Sequence, residues 1–93
     1  MKTTNQVEVA TIEITRVEKT IADKLVIYSL FMEGRNGERG FGIRVSCDGE
    51  NESVVLDCDL FPCVAFFQRL IDGEVFPYSL YELTEDFLAE QKI

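Results

Sequence analysis

The sequence predicts an α+β domain: a four-stranded antiparallel meander followed by two helices packed on one of its faces. Three observations predict it. Asn36-Gly37 lies between two runs whose apolar positions match across a hairpin. At Asp59 the apolar period changes from that of a strand to that of a helix. A second helical start follows at Ser79-Leu80-Tyr81-Glu82, which reads as a capping box.

The first strand is expected over about 7–17. Val7 and Val9 lie in one alternation phase and Ile12 and Ile14 in the other, so a bulge is expected near Ala10-Thr11. A loop over 18–23 returns the chain into a second strand, about 24–34, and a third follows at about 40–47. Asn-Gly favours the positive φ angles that a type I′ turn needs at both central positions. With Asn36 and Gly37 as that turn, Met32 faces Phe41, Leu30 faces Ile43, Tyr28 faces Val45, and Val26 faces Cys47. One face of the hairpin is therefore apolar on both strands, and a one-residue slip would set apolar against polar throughout. On the other face Phe31 stands opposite Gly42, which suits an aromatic ring covering a strand glycine. Asp48 to Glu52 is rich in turn formers, and the fourth strand, about 53–58, carries Val54, Leu56 and Cys58 inward.

The first helix is expected over about 60–72. Leu60, Cys63, Val64, Phe67, Leu70 and Ile71 form its stripe, with Asp59 as N-cap, Pro62 in the first turn and Gly73 at the stop. Phe76-Pro77 breaks the chain. The second helix, about 80–91, buries Leu80, Leu83, Phe87 and Leu88, with Tyr78 and Leu83 as a hydrophobic staple.

At 93 residues and 46% apolar composition the chain supports one core, assigned to residues 7–93 behind a disordered tail, 1–6. No apolar run approaches the ~20 residues of a membrane span, and the polar start, Met1 to Gln6, is not that of an export signal. A cytoplasmic location is expected, with Cys47, Cys58 and Cys63 as free packing thiols. Net charge is −8, unevenly divided. Residues 1–45 carry seven basic and six acidic side chains, a balance of +1; residues 46–93 carry two against eleven, a balance of −9. Such a surface repels phosphate backbones and anionic lipid, so neither nucleic acid nor membrane is an expected partner.

Catalytic and metal chemistry find little to work with. The chain has no histidine, which removes the commonest general base and metal ligand. Gly40-Phe41-Gly42 opens a strand, whereas a dinucleotide fingerprint opens a helix. Cys63 sits in a first helical turn, where the dipole favours a thiolate, but Asp57 and Asp59 oppose that effect. Asp48, Glu50 and Glu52 alternate like cation ligands, yet the loop is too short for an EF-hand. No enzyme activity, cofactor or metal is expected.

Two surface features remain. Glu82, Glu85, Asp86 and Glu90 fall on the outward face of the second helix, where like charges at i, i+4 cost a few tenths of a kcal/mol each. The stripe is a solubilising face or a docking face for a basic partner. Phe61 and Phe66 lie outside the first helix's stripe. Either the helix is buried on two sides, or Phe66, beside Arg69, is an exposed anchor for another chain.

Phe41-Gly42-Ile43 on a strand, Asp57-Cys58-Asp59 leading into a helix, Pro77-Tyr78-Ser79-Leu80 and Glu85-Asp86-Phe87-Leu88 together cover about residues 28–88. In these motifs the chain resembles a family of small bacterial proteins, a domain of unknown function from anaerobic Gram-positive bacteria. The resemblance implies a bacterial cytosolic protein of similar length and carries no catalytic residues. The expected function is a non-enzymatic protein-interaction or regulatory module, with Glu82, Glu85, Asp86, Glu90, Phe66 and Arg69 as partner-binding candidates. The alternatives are an acidic inhibitor that mimics nucleic acid on a basic protein, and a small enzyme using carboxylate, tyrosine or Cys63 chemistry. The open meander edges, 7–17 and 53–58, leave room for a homodimer.

Overall fold

The computed structural model describes residues 9–35 and 38–91. Four antiparallel strands, β1 (Val9–Ile21), β2 (Lys24–Arg35), β3 (Glu38–Cys47) and β4 (Glu50–Leu56), form one sheet in the order β1-β2-β3-β4. Helix α1 (Leu60–Asp72), a 3₁₀ turn (Pro77–Ser79) and helix α2 (Leu80–Gln91) follow and cover one face. This is the expected α+β architecture. The expected tail, 1–6, and the turn residues Asn36 and Gly37 lie outside the described residues.

The β2–β3 register is the one read from the Asn-Gly signal. Val26 faces Cys47, Tyr28 faces Val45, Leu30 faces Ile43, Met32 faces Phe41, and the ladder reaches Arg35 opposite Glu38. β3 and β4 continue that face with Ile43 opposite Val54 and Phe41 opposite Leu56. The covered face is therefore apolar across three strands. Cys63, Phe66, Phe67, Leu70 and Ile71 of α1 and Leu80 and Phe87 of α2 complete one core with it.

β1 departs from expectation in two ways. It runs to Ile21, and the supposed loop 18–23 shrinks to Ala22 and Asp23, at φ 51° and 68°. Both central residues thus take the left-handed conformation of a I′ turn without glycine, at a cost of about 1 kcal/mol per residue. The bulge lies at Ile14, between Glu13 and Thr15, rather than near Ala10-Thr11. Ile12 faces Met32 and Val17 faces Tyr28, so residues five apart share one face. Only an extra residue between them permits that.

β4 starts earlier than expected, at Glu50, because Asp48 (φ 53°) and Gly49 (φ 83°) alone make the turn. It also ends earlier, at Leu56 rather than 58; within it Val54 and Leu56 are buried and Ser53 and Val55 exposed as expected, while Cys58, expected inward on the strand, is half-buried beyond its end.

Asp59 is the N-cap of α1, but its side chain makes no capping hydrogen bond. At the other end Gly73 keeps helical φ (−84°) and Glu74, at φ 55°, takes the left-handed position. The Glu74 N–H donates to Ile71 O (3.0 Å) and the Val75 N–H to Leu70 O (3.1 Å), a Schellman motif displaced one residue beyond the glycine. Lys19 of β1 completes this end. Its Nζ donates to Ile71 O at 3.0 Å and pairs with Glu74 at 3.4 Å, placing a cation on the negative pole of the helix. Tyr28 anchors the next residue, donating its hydroxyl to Val75 O at 2.9 Å.

The expected capping box at Ser79 gives way to the 3₁₀ turn, whose N-cap is Phe76 and which runs directly into α2. Tyr78 is exposed and lies parallel to Phe76, 6.1 Å between centroids, so it forms no staple with Leu83. Among the described residues, no helix is long and apolar enough to cross a membrane.

Candidate functional site

The helical layer decides the fate of the six expected partner-binding residues. Phe66 is not a surface anchor. It is 2% exposed and stacks on Phe87, with centroids 4.4 Å apart and planes 8° apart. Burial on two sides explains its place outside the expected stripe: α1 packs against β2 and β3 of the sheet, and Phe66 meets α2 through Phe87. The stripe is rotated accordingly, leaving Leu60 and Val64, expected inside, exposed.

Arg69 and Glu90 are brought together at 3.3 Å across the two helices, and the Arg69 guanidinium lies 5.9 Å from the centre of the Phe66 ring. The acidic stripe therefore has a cation beside it that sequence proximity does not reveal. Lys92, the basic residue expected to close the stripe, lies outside the described residues. Glu82, Glu85 and Asp86 remain exposed, and among the described residues none has a cationic partner.

Next to these carboxylates stand two aromatic residues that the sequence reading used only as packing or possible chemistry. Tyr78 is 79% exposed and Tyr81 is 58% exposed. Tyr81 shares the outward side of α2 with Glu82, Glu85 and Asp86, and Tyr78 stands just before the helix on the 3₁₀ turn, stacked on Phe76. The spacing was available in the sequence; the exposure was not. A third exposed aromatic is Phe61 of α1, 86% exposed and flanked by Leu60 and Val64.

Two open clefts flank the sheet. One, of about 310 Å³, is walled by Phe76, Pro77, Tyr78 and Cys47, with Lys24 and Asp48 at its rim. Lys24 donates to Asp48 at 3.0 Å, and that bond, with the charge behind it, raises the Lys24 pKa. The other, of about 520 Å³, lies at the opposite end of β3 and β4 against Glu33, Glu38, Arg39, Asp57 and Cys58.

The three cysteines do not share one environment. Cys47 is buried in the core, Cys58 is half-buried just past β4, and Cys63 is fully buried in α1. The Cys58 and Cys63 sulfurs are 2.9 Å apart. Burial, then the hydrogen bond and charge of Cys58, then Asp59, push the Cys63 thiol up to about 12. That thiol is the opposite of an activated nucleophile. Among the described residues, no three His, Cys, Asp or Glu side chains are grouped as a metal site requires.

No protein-family model, no curated protein and no solved structure matches the chain.

Proposed function

We propose that the domain is a non-enzymatic protein-interaction module of the bacterial cytosol that binds a basic segment of another protein on the outer face of α2. The observation that carries this reading is exposed Tyr81 beside Glu82, Glu85 and Asp86 on the outward side of α2, with Tyr78 exposed on the turn that leads into it. Carboxylates accept charge-assisted hydrogen bonds from guanidinium and ammonium groups, and a phenol ring offers the cation–π contact that arginine favours. A merely solubilising face has no use for two largely exposed tyrosine rings. The charge imbalance of the chain supports the same direction, since the acidic half attracts a basic partner and speeds its approach.

The test is anisotropy titration of labelled Arg-rich and Asp-rich peptides against wild type, Glu82→Lys/Asp86→Lys and Tyr81→Ala. Wild type should bind the Arg-rich peptide alone, with affinity falling as salt rises. The double charge reversal should weaken it more than about tenfold, and Tyr81→Ala by a smaller factor that salt leaves unchanged. A pull-down from native lysate with the same double variant supplies the natural partner. Identical capture by wild type and variant would remove this face as the docking surface.

A further inference from the structure

The mechanism of docking makes no use of the cysteine pair at the joint between the sheet and α1. Cys58 is the second residue after β4, and Cys63 is in the first turns of α1. Their sulfurs lie 2.9 Å apart and hydrogen-bonded, so a covalent bond of about 2.05 Å requires the side chains to close by less than ~1 Å. The two differ in access. Cys63 is wholly buried, whereas Cys58 is half-buried and forms part of the wall of the 520 Å³ cleft. Cys47 is buried at the far end of β3, beside the other cleft.

We propose that Cys58 and Cys63 are a reversible disulfide site, oxidised by small disulfides that enter the cleft and meet Cys58 first. Cys58 loses its proton to solvent, and its sulfur bonds to one sulfur of the oxidant as the oxidant's S–S bond breaks. The released thiolate takes up a proton. Cys63 then loses its proton and its sulfur attacks Cys58 Sγ, forming the internal bond as the mixed disulfide breaks and a second small thiol leaves. Two protein thiols are oxidised by two electrons, and one small disulfide is reduced to two thiols. The order follows from access: Cys58 is partly exposed at the cleft, and Cys63 is fully buried. The buried, up-shifted Cys63 thiol makes the second step the slow one, faster as pH rises.

Charge selects the oxidant. Glu38 and Asp57 stand against Arg39 around the cleft, and the chain as a whole carries −8, so a cationic disulfide is drawn in and an anionic one is repelled. The closed bond would span Asp59, Leu60, Phe61 and Pro62, the turn that presents Phe61 to solvent. Oxidation therefore stiffens an exposed apolar turn while leaving the rest of the core untouched.

The full chain is treated with cystamine, neutral hydroxyethyl disulfide or anionic glutathione disulfide, and products are followed by intact mass and peptide mapping. Wild type should lose two hydrogens, keep Cys47 as its free thiol, yield a peptide linking Cys58 to Cys63, and recover on adding dithiothreitol. Cystamine should react on the order of tenfold faster than glutathione disulfide at low salt, with the gap closing as salt is added. Cys63→Ser should stop at a stable adduct on Cys58, and Cys58→Ser should resist all three reagents while native by circular dichroism. A stable mixed adduct on wild-type Cys58, modification of Cys47 first, or reaction of Cys58→Ser at the wild-type rate would each overturn the assignment. The wild-type product map decides the matter even if a variant fails to fold.

Discussion

On the covered face of the sheet, Val26, Tyr28, Leu30, Ile43 and Val45 are sealed by side chains from a second layer, and the burial is shared among many residues. On the open face, Phe31 is buried by its own sheet. It lies over Gly42 of the neighbouring strand, with the Arg44 guanidinium 5.5 Å from its ring centre. Ser29, next along that face, donates to Glu13 of β1 at 3.1 Å. Leu25 and Val55 share the open face and are about half exposed. One set of strands thus uses two means of burial: a helical layer on one side, and a ring laid into a glycine gap on the other. The covered face depends on distant chain segments meeting, the open face on cross-strand neighbours alone.

The largest expected effect breaks the covered face. Phe66→Ala removes the ring that joins α1 to Phe87 of α2 and should cost about 3–5 kcal/mol, read as a lower urea midpoint. A cost below about 1 kcal/mol would show that the helix–helix contact contributes little and that α2 is held by the sheet alone.

Next comes the open face. A Cβ at Gly42 would overlap the Phe31 ring and lie 2.7 Å from Val54 O. Gly42→Ala should cost about 1–3 kcal/mol. Phe31→Leu should recover part of that loss in the double variant, but not all, because the Val54 carbonyl cannot move aside. Additive costs in that cycle would separate the ring from the glycine and sink the account of this face.

The smallest effect sharpens the covered face. Tyr28→Phe deletes one hydrogen bond, to Val75 O, and should cost about 1 kcal/mol at neutral pH. Burial first, then Glu74, push the Tyr28 phenol up to about 12, above the ~10 of an unfolded chain. The folded state keeps a proton that the unfolded state releases, so this stabilisation is complete below about pH 10 and is lost as pH rises through about 12. Urea unfolding between pH 9 and 12 should therefore show falling stability, with a shallower fall in Tyr28→Phe. The remaining slope belongs in part to Cys63, raised in the same direction.

What could be read in advance follows the range of the interactions concerned. The β2–β3 register was legible because Asn36-Gly37 and the matching of Val26, Tyr28, Leu30 and Met32 with their partners carry the same information twice. Asp48-Gly49 carried a comparable hairpin signal that the polar residues after it masked. Ala22-Asp23 carried almost none, since neither residue favours positive φ as glycine does. In α1, the stripes 60/63/64/67/70/71 and 63/66/67/70/71 share four members. Which flank is buried depends on where α2 lies, so Leu60 and Val64 were assigned to the wrong side, and Phe66 was left between burial on two sides and an exposed anchor until the position of α2 decided for burial. At the candidate site, the spacing placed Glu82, Glu85 and Asp86 on one outward face, and the same spacing admits Tyr81. The pairing of Arg69 with Glu90 joins residues 21 apart and had no local signature.

By itself, then, the sequence determined the fold class, the element order, the central hairpin and the acidity of the helical half, because periodicity, turn chemistry and charge act over a few residues. Tertiary structure alone decided the bulge at Ile14, the two-sided burial of Phe66, the neutralising of Glu90 and the meeting of Cys58 with Cys63. Each of these is a contact whose free energy appears only when separate layers come together, and no pattern within either segment encodes the other's position.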